Sequence, residues 1–209
     1  MDNPKTLTSI VSYPERGDGG NNRYRGNCSP KLIEDLIKFF KPKEICDYMC
    51  GSGTTKDAAD KCGIKSCIYD LHSGFDIMNC DIQERPEFIF WHPPYWDIIK
   101  YSDVMYKASE VERRYGYNPM KYDLSRILEW NSFVETMNYA MMKQFSSLEK
   151  GGRMAVLMGD IKKKVGCTVC CPKSLSQVLW RISLSRLSTT VFRIIQPTAA
   201  RLSRFCMNM

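Results

Sequence analysis

An α/β fold, with a mostly parallel sheet covered by helices on both faces, is what this sequence predicts, and three observations predict it. Short apolar runs alternate with stretches of helical periodicity along the first 164 residues. Gly51-Ser52-Gly53 breaks the first of these runs just before a helical stretch. The run Phe88-Ile-Phe-Trp91 ends in His92-Pro93-Pro94-Tyr95, and two consecutive prolines cannot continue a central strand. With 209 residues, one core and one domain are expected.

The elements follow in order. The Gly-, Asn- and Arg-rich opening, including RGDGGNNRYRGNCSP, reads as a loop. Ser29 is a good N-cap, Pro30 suits the first helical position, and Leu32, Ile33, Leu36, Ile37 and Phe40 share one apolar face. A first strand is predicted over Ile45 to Cys50, then a helix from Thr54 to Cys62 that Gly63 ends. Ser66 to Tyr69 makes a second strand closed by Asp70, and Phe88 to Trp91 a third. Phe133, Met137, Ala140, Met141, Phe145 and Leu148 recur at helical spacing, and Arg153 to Met158 forms a fourth strand, ended by Gly159-Asp160. In such a sheet a ligand binds at the carboxyl ends of the strands.

Composition narrows the function classes. The formal charge of +7 is uneven: residues 1–164 carry 24 basic against 23 acidic residues, and residues 165–209 carry six basic residues and no acid. The basicity therefore says little about what the folded part binds. No apolar run reaches the length of a membrane span, and MDNPKTLTSI lacks the pattern of a secretory signal, so a cytoplasmic protein with no membrane partner is expected. Of the ten cysteines, Cys46, Cys50, Cys62, Cys67 and Cys80 are scattered through apolar segments without paired metal spacing, as expected of reduced thiols.

Two motifs carry chemistry. In Asp47-x-x-x-Gly51-Ser52-Gly53-Thr54-Thr55 the glycines permit a tight turn and close approach of a ligand at a helix N-terminus. Lys56 stands where a dinucleotide fingerprint has its third glycine, and no Gly-Lys-Ser/Thr follows, so neither that fingerprint nor a P-loop fits. Asp70, at the end of the second strand, is placed to take ribose hydroxyls, which makes a nucleoside-shaped site without a polyphosphate cradle. Asp47 and Asp70 each also read as a turn acid or helix cap. The second motif, His92-Pro93-Pro94-Tyr95, delivers free carbonyls and an aromatic ring at a strand end.

Together, D-Y-M-C-G-S-G-T-T followed by H-P-P-Y resembles the S-adenosylmethionine-dependent DNA amino-methyltransferases of the adenine-N6 and cytosine-N4 type, over residues of about 10 to 164. The resemblance implies a class I, Rossmann-like domain, with Asp47, Gly51, Ser52, Gly53, Thr54, Asp70 and Asp76 at the cofactor S-adenosylmethionine and Arg25 to Lys31 near its methionine end. It implies DNA as partner, base flipping, and a possible cognate restriction enzyme. His92 and the Pro93 carbonyl would accept hydrogen bonds from the target amine, Pro94 would stiffen the turn, and Tyr95 would stack on the base. His92 departs from the family's Asp, Asn or Ser, and as an imidazolium it could not accept. Methylation of RNA or of a protein glutamine, and a remnant that binds without turnover, stay open as alternatives. Lys107, Arg113, Arg114, Tyr115 and Tyr117 read equally as DNA contacts or as a solvated face.

Residues 165–209 do not continue this domain in kind. The resemblance implies a final hairpin there. Read in a shifted frame, the codons after Lys164 permit Tyr-Ser, Lys-Pro-Gly-Thr-Leu-Glu and His-Glu-Tyr, which look like family sequence. A frameshift near codon 165 is therefore the expectation, with a basic DNA-binding arm or a metal site at Cys167, Cys170 and Cys171 as competing readings. Loss of the hairpin would leave a sheet edge uncovered.

Overall fold

The computed structural model describes residues 13–158 and two short strands, Ile161–Lys162 and Thr168–Val169. The frameshift, the arm and the cysteine cluster of the tail lie outside the described residues, as do Gly159 and Asp160.

The chain forms an α/β fold around a small parallel sheet. Helix α1 (Pro30–Phe40) leads into β1 (Glu44–Asp47), α2 (Thr54–Cys62) and β2 (Lys65–Ile68). A non-periodic stretch reaches β3 (Phe88–Trp91). Then come two short helices, α3 (Asp103–Tyr106) and α4 (Ala108–Tyr115), the long α5 (Trp130–Ser147) and β4 (Arg153–Val156). The strand order is β2-β1-β3-β4, all parallel. The two short strands, β5 (Ile161–Lys162) and β6 (Thr168–Val169), pair antiparallel with each other, apart from this sheet. Among the described residues, β4 is therefore an edge.

Side-chain alternation builds the two faces. Ile45, Phe88, Phe90 and Ala155 pack with Leu32, Ile33, Leu36 and Ile37 of α1 and Ala58 and Ala59 of α2. Their neighbours Cys46, Ile89, Trp91, Met154 and Val156 turn to the opposite face, onto Phe133, Met137, Ala140 and Met141 of α5. Both faces of β3 are thus dry, which is why FIFW is apolar throughout rather than alternating. Burying one such side chain contributes about 1.5–3 kcal/mol. Among the described residues no helix is long and apolar enough to cross a membrane.

The ends of α2 fall where the glycines predict, with Gly53 before it and Gly63 closing it in the left-handed region. Ser29 precedes α1, but its hydroxyl donates to the Arg16 carbonyl at 2.7 Å and ties down the opening loop instead of capping the helix. Strand β1 stops at Asp47, short of the expected Cys50. Tyr48 leaves the strand, is buried, and stacks on Tyr69 at 5.5 Å with an interplanar angle of 7°.

Candidate active site

From β1 the chain passes through α2 to β2 on one side, then crosses to β3 on the other. The carboxyl ends of β1 and β3 consequently diverge, and a crevice opens between them. The cavity there holds about 760 Å³ of empty space, part of it open to solvent. Its lining includes Asp47, Gly51, Ser52, Thr54, Asp70 and Asp76 together with His92 and Pro94. Two motifs 40 residues apart in the chain meet in one cavity.

The glycine-turn wall is held by its own hydrogen bonds. Buried Asp47 accepts from the Met49 N–H at 3.0 Å and from the Thr55 hydroxyl. Burial pushes its carboxyl up to about 7, against the lowering effect of those donors, and Asp70 adds to the rise. Asp70 accepts the Gly51 N–H at 2.9 Å on one oxygen and, on the other, the His72 N–H at 3.2 Å and the His72 ring Nδ1 at 2.7 Å. That bond to Asp70 raises the His72 pKa, so the pair carries a shared proton more readily. Asp76 binds the Met78 N–H at 2.9 Å and the Asn79 amide. Each acid caps local backbone, and each still lines the cavity.

Gly51 has φ 52°, and a Cβ there would meet the Tyr24 ring at 3.0 Å. Tyr24 belongs to the opening loop, which lies on the turn: the Asn21 N–H donates to Ser52 Oγ at 3.1 Å, the Thr54 hydroxyl to Asn27, and the Gly20 N–H to Asp57 at 2.7 Å. Gly53, at φ 83°, gives its N–H to the Cys50 carbonyl rather than to the cavity. The expected anion site at the α2 N-terminus is therefore modified. Gly51's donor is already taken by a carboxylate, and Asp57 adds another acid to the first turn.

The β3 wall is anchored differently. Trp91 is fully buried, its indole directed at Met49 Sδ at 3.3 Å. Pro93 is buried, while His92, Pro94 and Tyr95 are half-buried. Neither Pro93 nor Tyr95 lines the cavity; Tyr95 packs against the α5 side of the core, and its hydroxyl lies 3.0 Å from His92 Nε2. The chain then turns at Trp96, a non-glycine residue at φ 55°, a conformation that costs about 1–3 kcal/mol. The Trp96 indole donates to the Ile127 carbonyl at 2.9 Å and the ring meets Trp130 edge-on at 5.1 Å, which holds the bend. Burial lowers the His92 pKa to about 4, so its ring is neutral at pH 7.

Several lining residues carried no motif signal: Tyr101, Tyr106, Tyr122 and Asp123 between β3 and α5. The contact of His72 to Asp70, behind the wall, carried none either. The Asp123-Leu-Ser pattern, an acid capping a turn, is the one local sign that could have marked this segment. Tyr115 and Tyr117, read from sequence as possible DNA contacts, pack on the loop after β2: Tyr115 crowds Gly74, and the Tyr117 hydroxyl donates to the Leu71 carbonyl at 2.6 Å. Lys107, Arg113 and Arg114 are exposed. The cysteines in the described residues are free thiols.

No protein-family model matches the chain, and neither a curated protein nor a solved structure matches it.

Proposed function

We propose that the chain is an S-adenosylmethionine-dependent amino-methyltransferase of class I, Rossmann-like type, acting on the exocyclic amine of adenine or cytosine in DNA. The observation that carries the reading is the charge of the cavity. Asp47, Asp70, Asp76 and Asp123 line it, and among the described residues no Lys or Arg does. A dinucleotide or nucleoside triphosphate would bring phosphates into a ring of carboxylates, at a repulsive cost. A nucleoside with a cationic substituent suits it. S-adenosylmethionine, with a sulfonium and an ammonium against one carboxylate, has that composition.

Bound there, S-adenosylmethionine supplies an electrophilic methyl group on a positively charged sulfur. Asp70 has carboxylate lone pairs beyond those given to Gly51 and His72 with which to accept ribose hydroxyls. His92 and the Pro93 carbonyl accept the two N–H groups of the target amine. That favours sp³ character at nitrogen and frees the lone pair otherwise delocalised into the base. For His92 to accept through Nδ1, Nε2 would hold the proton and donate it to the Tyr95 oxygen, one of the two roles that hydroxyl can take. Were the amine methylated by the group that S-adenosylmethionine would supply, the nitrogen would shed one proton, and His92 would be its acceptor.

The test is incubation of the chain with methyl-labelled S-adenosylmethionine and mixed-sequence DNA, followed by nucleoside analysis. Labelled N6-methyladenine or N4-methylcytosine is expected. Label in RNA or protein alone would move the substrate class, and a folded, cofactor-bound chain that labels nothing would overturn the activity.

A further inference from the structure

The segment between β3 and α5 contributes a part of the cavity that neither motif accounts for. Asp123 begins the turn Leu124–Arg126, and its Oδ1 accepts the Ser125 N–H at 2.9 Å. Its Oδ2 has no hydrogen-bond partner among the described residues, although the side chain is only 1% exposed. Arg126 Nε lies 3.4 Å away but is itself without a hydrogen bond, and Arg126 is not part of the cavity wall. The guanidinium's Nη2 instead donates to the Tyr101 carbonyl at 2.8 Å. Asp123 therefore contributes a buried carboxylate to the cavity wall, and its cationic neighbour, Arg126 at 3.4 Å, stands behind that wall.

Aromatic rings surround the same volume. Tyr24 and Tyr101 lie 5.9 Å apart between centroids, and Tyr101 and Tyr106 5.6 Å. All three line the cavity with Asp123. The Tyr24 loop and the Tyr101 segment are in contact, since a Cβ on Gly26, at φ 76°, would lie 2.9 Å from the Tyr101 hydroxyl oxygen. Burial first, and the carboxylates of Asp70 and Asp123 next, push the phenol pKa values of Tyr24, Tyr101 and Tyr106 upward, which keeps these rings neutral. Neutral electron-rich rings beside a buried carboxylate form a setting that attracts an onium ion by cation–π contact and by charge.

We propose that Asp123 with the rings of Tyr24, Tyr101 and Tyr106 forms a subsite for the onium group of the ligand, so that the cavity selects the charged methyl donor over its neutral demethylated product. This rests on the methyl-donor reading of the cavity and adds a residue set outside both sequence motifs. Transfer of the methyl group removes the sulfonium charge, and the subsite then loses the interaction that held its occupant, which favours product release.

Calorimetric titration of the full chain with S-adenosylmethionine, with sinefungin (an ammonium-bearing analogue) and with S-adenosylhomocysteine tests this. The two onium ligands are expected to bind about tenfold more tightly than S-adenosylhomocysteine. Asp123→Asn should reduce that ratio to within about twofold while leaving the affinity for S-adenosylhomocysteine unchanged, and Tyr101→Leu should reduce it in part. Equal affinities for all three ligands in the unaltered chain, or a ratio that survives in folded Asp123→Asn, would overturn the subsite and leave the methyl-donor reading standing. Should Asp123→Asn fail to fold, an unchanged ratio in Tyr101→Leu would overturn it equally. If none of the three ligands binds the folded chain, the methyl-donor reading itself fails, and the subsite with it.

Discussion

The two walls of the cavity are built on opposite plans. At the end of β1 the polar groups are spent on one another: Asp47 on Thr55 and Met49, Asp70 on Gly51 and His72, Thr54 on Asn27. At the end of β3 the anchoring is mainly apolar, through buried Trp91 and Trp96, with the His92–Tyr95 contact and the Trp96 indole bond to Ile127 beside two prolines that have no N–H to donate. The first plan makes a rigid cradle whose shape is set before a ligand arrives. The second puts two residues without backbone N–H groups beside a neutral imidazole, which suits the amine substrate proposed above. Preorganisation lowers the cost of binding, whereas acceptors lower the barrier only if they meet the reacting group.

The largest effect that would test this contrast is in the stability of the cradle. The Asp47 carboxyl, at about 7 when folded against an ordinary value of 3.8, holds its proton more tightly in the folded chain. Between those values the folded state binds the extra proton, so stability should fall as pH rises from about 4 to about 7 and level off above. The fall should reach up to about 4 kcal/mol, and Asp47→Asn should flatten it. Chemical denaturation across this pH range reads both, and an unchanged slope in the variant would show that the strain of the cradle lies elsewhere.

Next in size is Asp70→Ala. It strands the Gly51 N–H and releases His72 as well as removing the acceptor offered to ribose, and should weaken cofactor binding about a hundredfold by calorimetry. Asp70→Asn, which retains one acceptor for Gly51, should fall in between. Full affinity in both would return Asp70 to the part of a turn acid.

Smallest is the change on the β3 wall. His92→Ala removes one neutral acceptor while the Pro93 carbonyl stays, so kcat should drop about tenfold with cofactor affinity unchanged. Because burial holds the His92 pKa to about 4, activity should not decline through the ordinary histidine range near 6.5 on its account; any acid loss belonging to this residue should lie near 4 and be absent in His92→Asn. A limb near 6.5 that His92→Asn abolishes would contradict a neutral His92.

Much of this was legible along the chain because the signals were local. Gly53 and Gly63 mark the ends of α2 through backbone conformation alone, and the apolar run of β3 marks a strand dry on both faces. Where reading failed, the cause was a residue whose partner is distant. Tyr48 to Cys50 is as apolar as a strand but forms a turn in which Tyr48 is buried and Met49 and Cys50 half-buried, and periodicity does not separate the two. Ser29 looks like a cap, but its hydroxyl satisfies the carbonyl of Arg16. Tyr95 looks like a free stacking face, yet part of it is core. Asp123 and Tyr101 sit in a segment with no period at all, so no local rule could assign them to the cavity.

What the sequence determined by itself is the alternation of strands and helices, the glycine turn at the end of β1 and the Pro-Pro break at the end of β3, since each depends on the conformational limits of the residues present. Only the tertiary structure decided that β3 lies beside β1 on the side away from β2, which opens the crevice, and that Tyr24, Tyr101 and Asp123 gather around it. Backbone preferences act between neighbours. A cavity's charge and shape come from residues far apart in sequence, brought together when both faces of the sheet are buried.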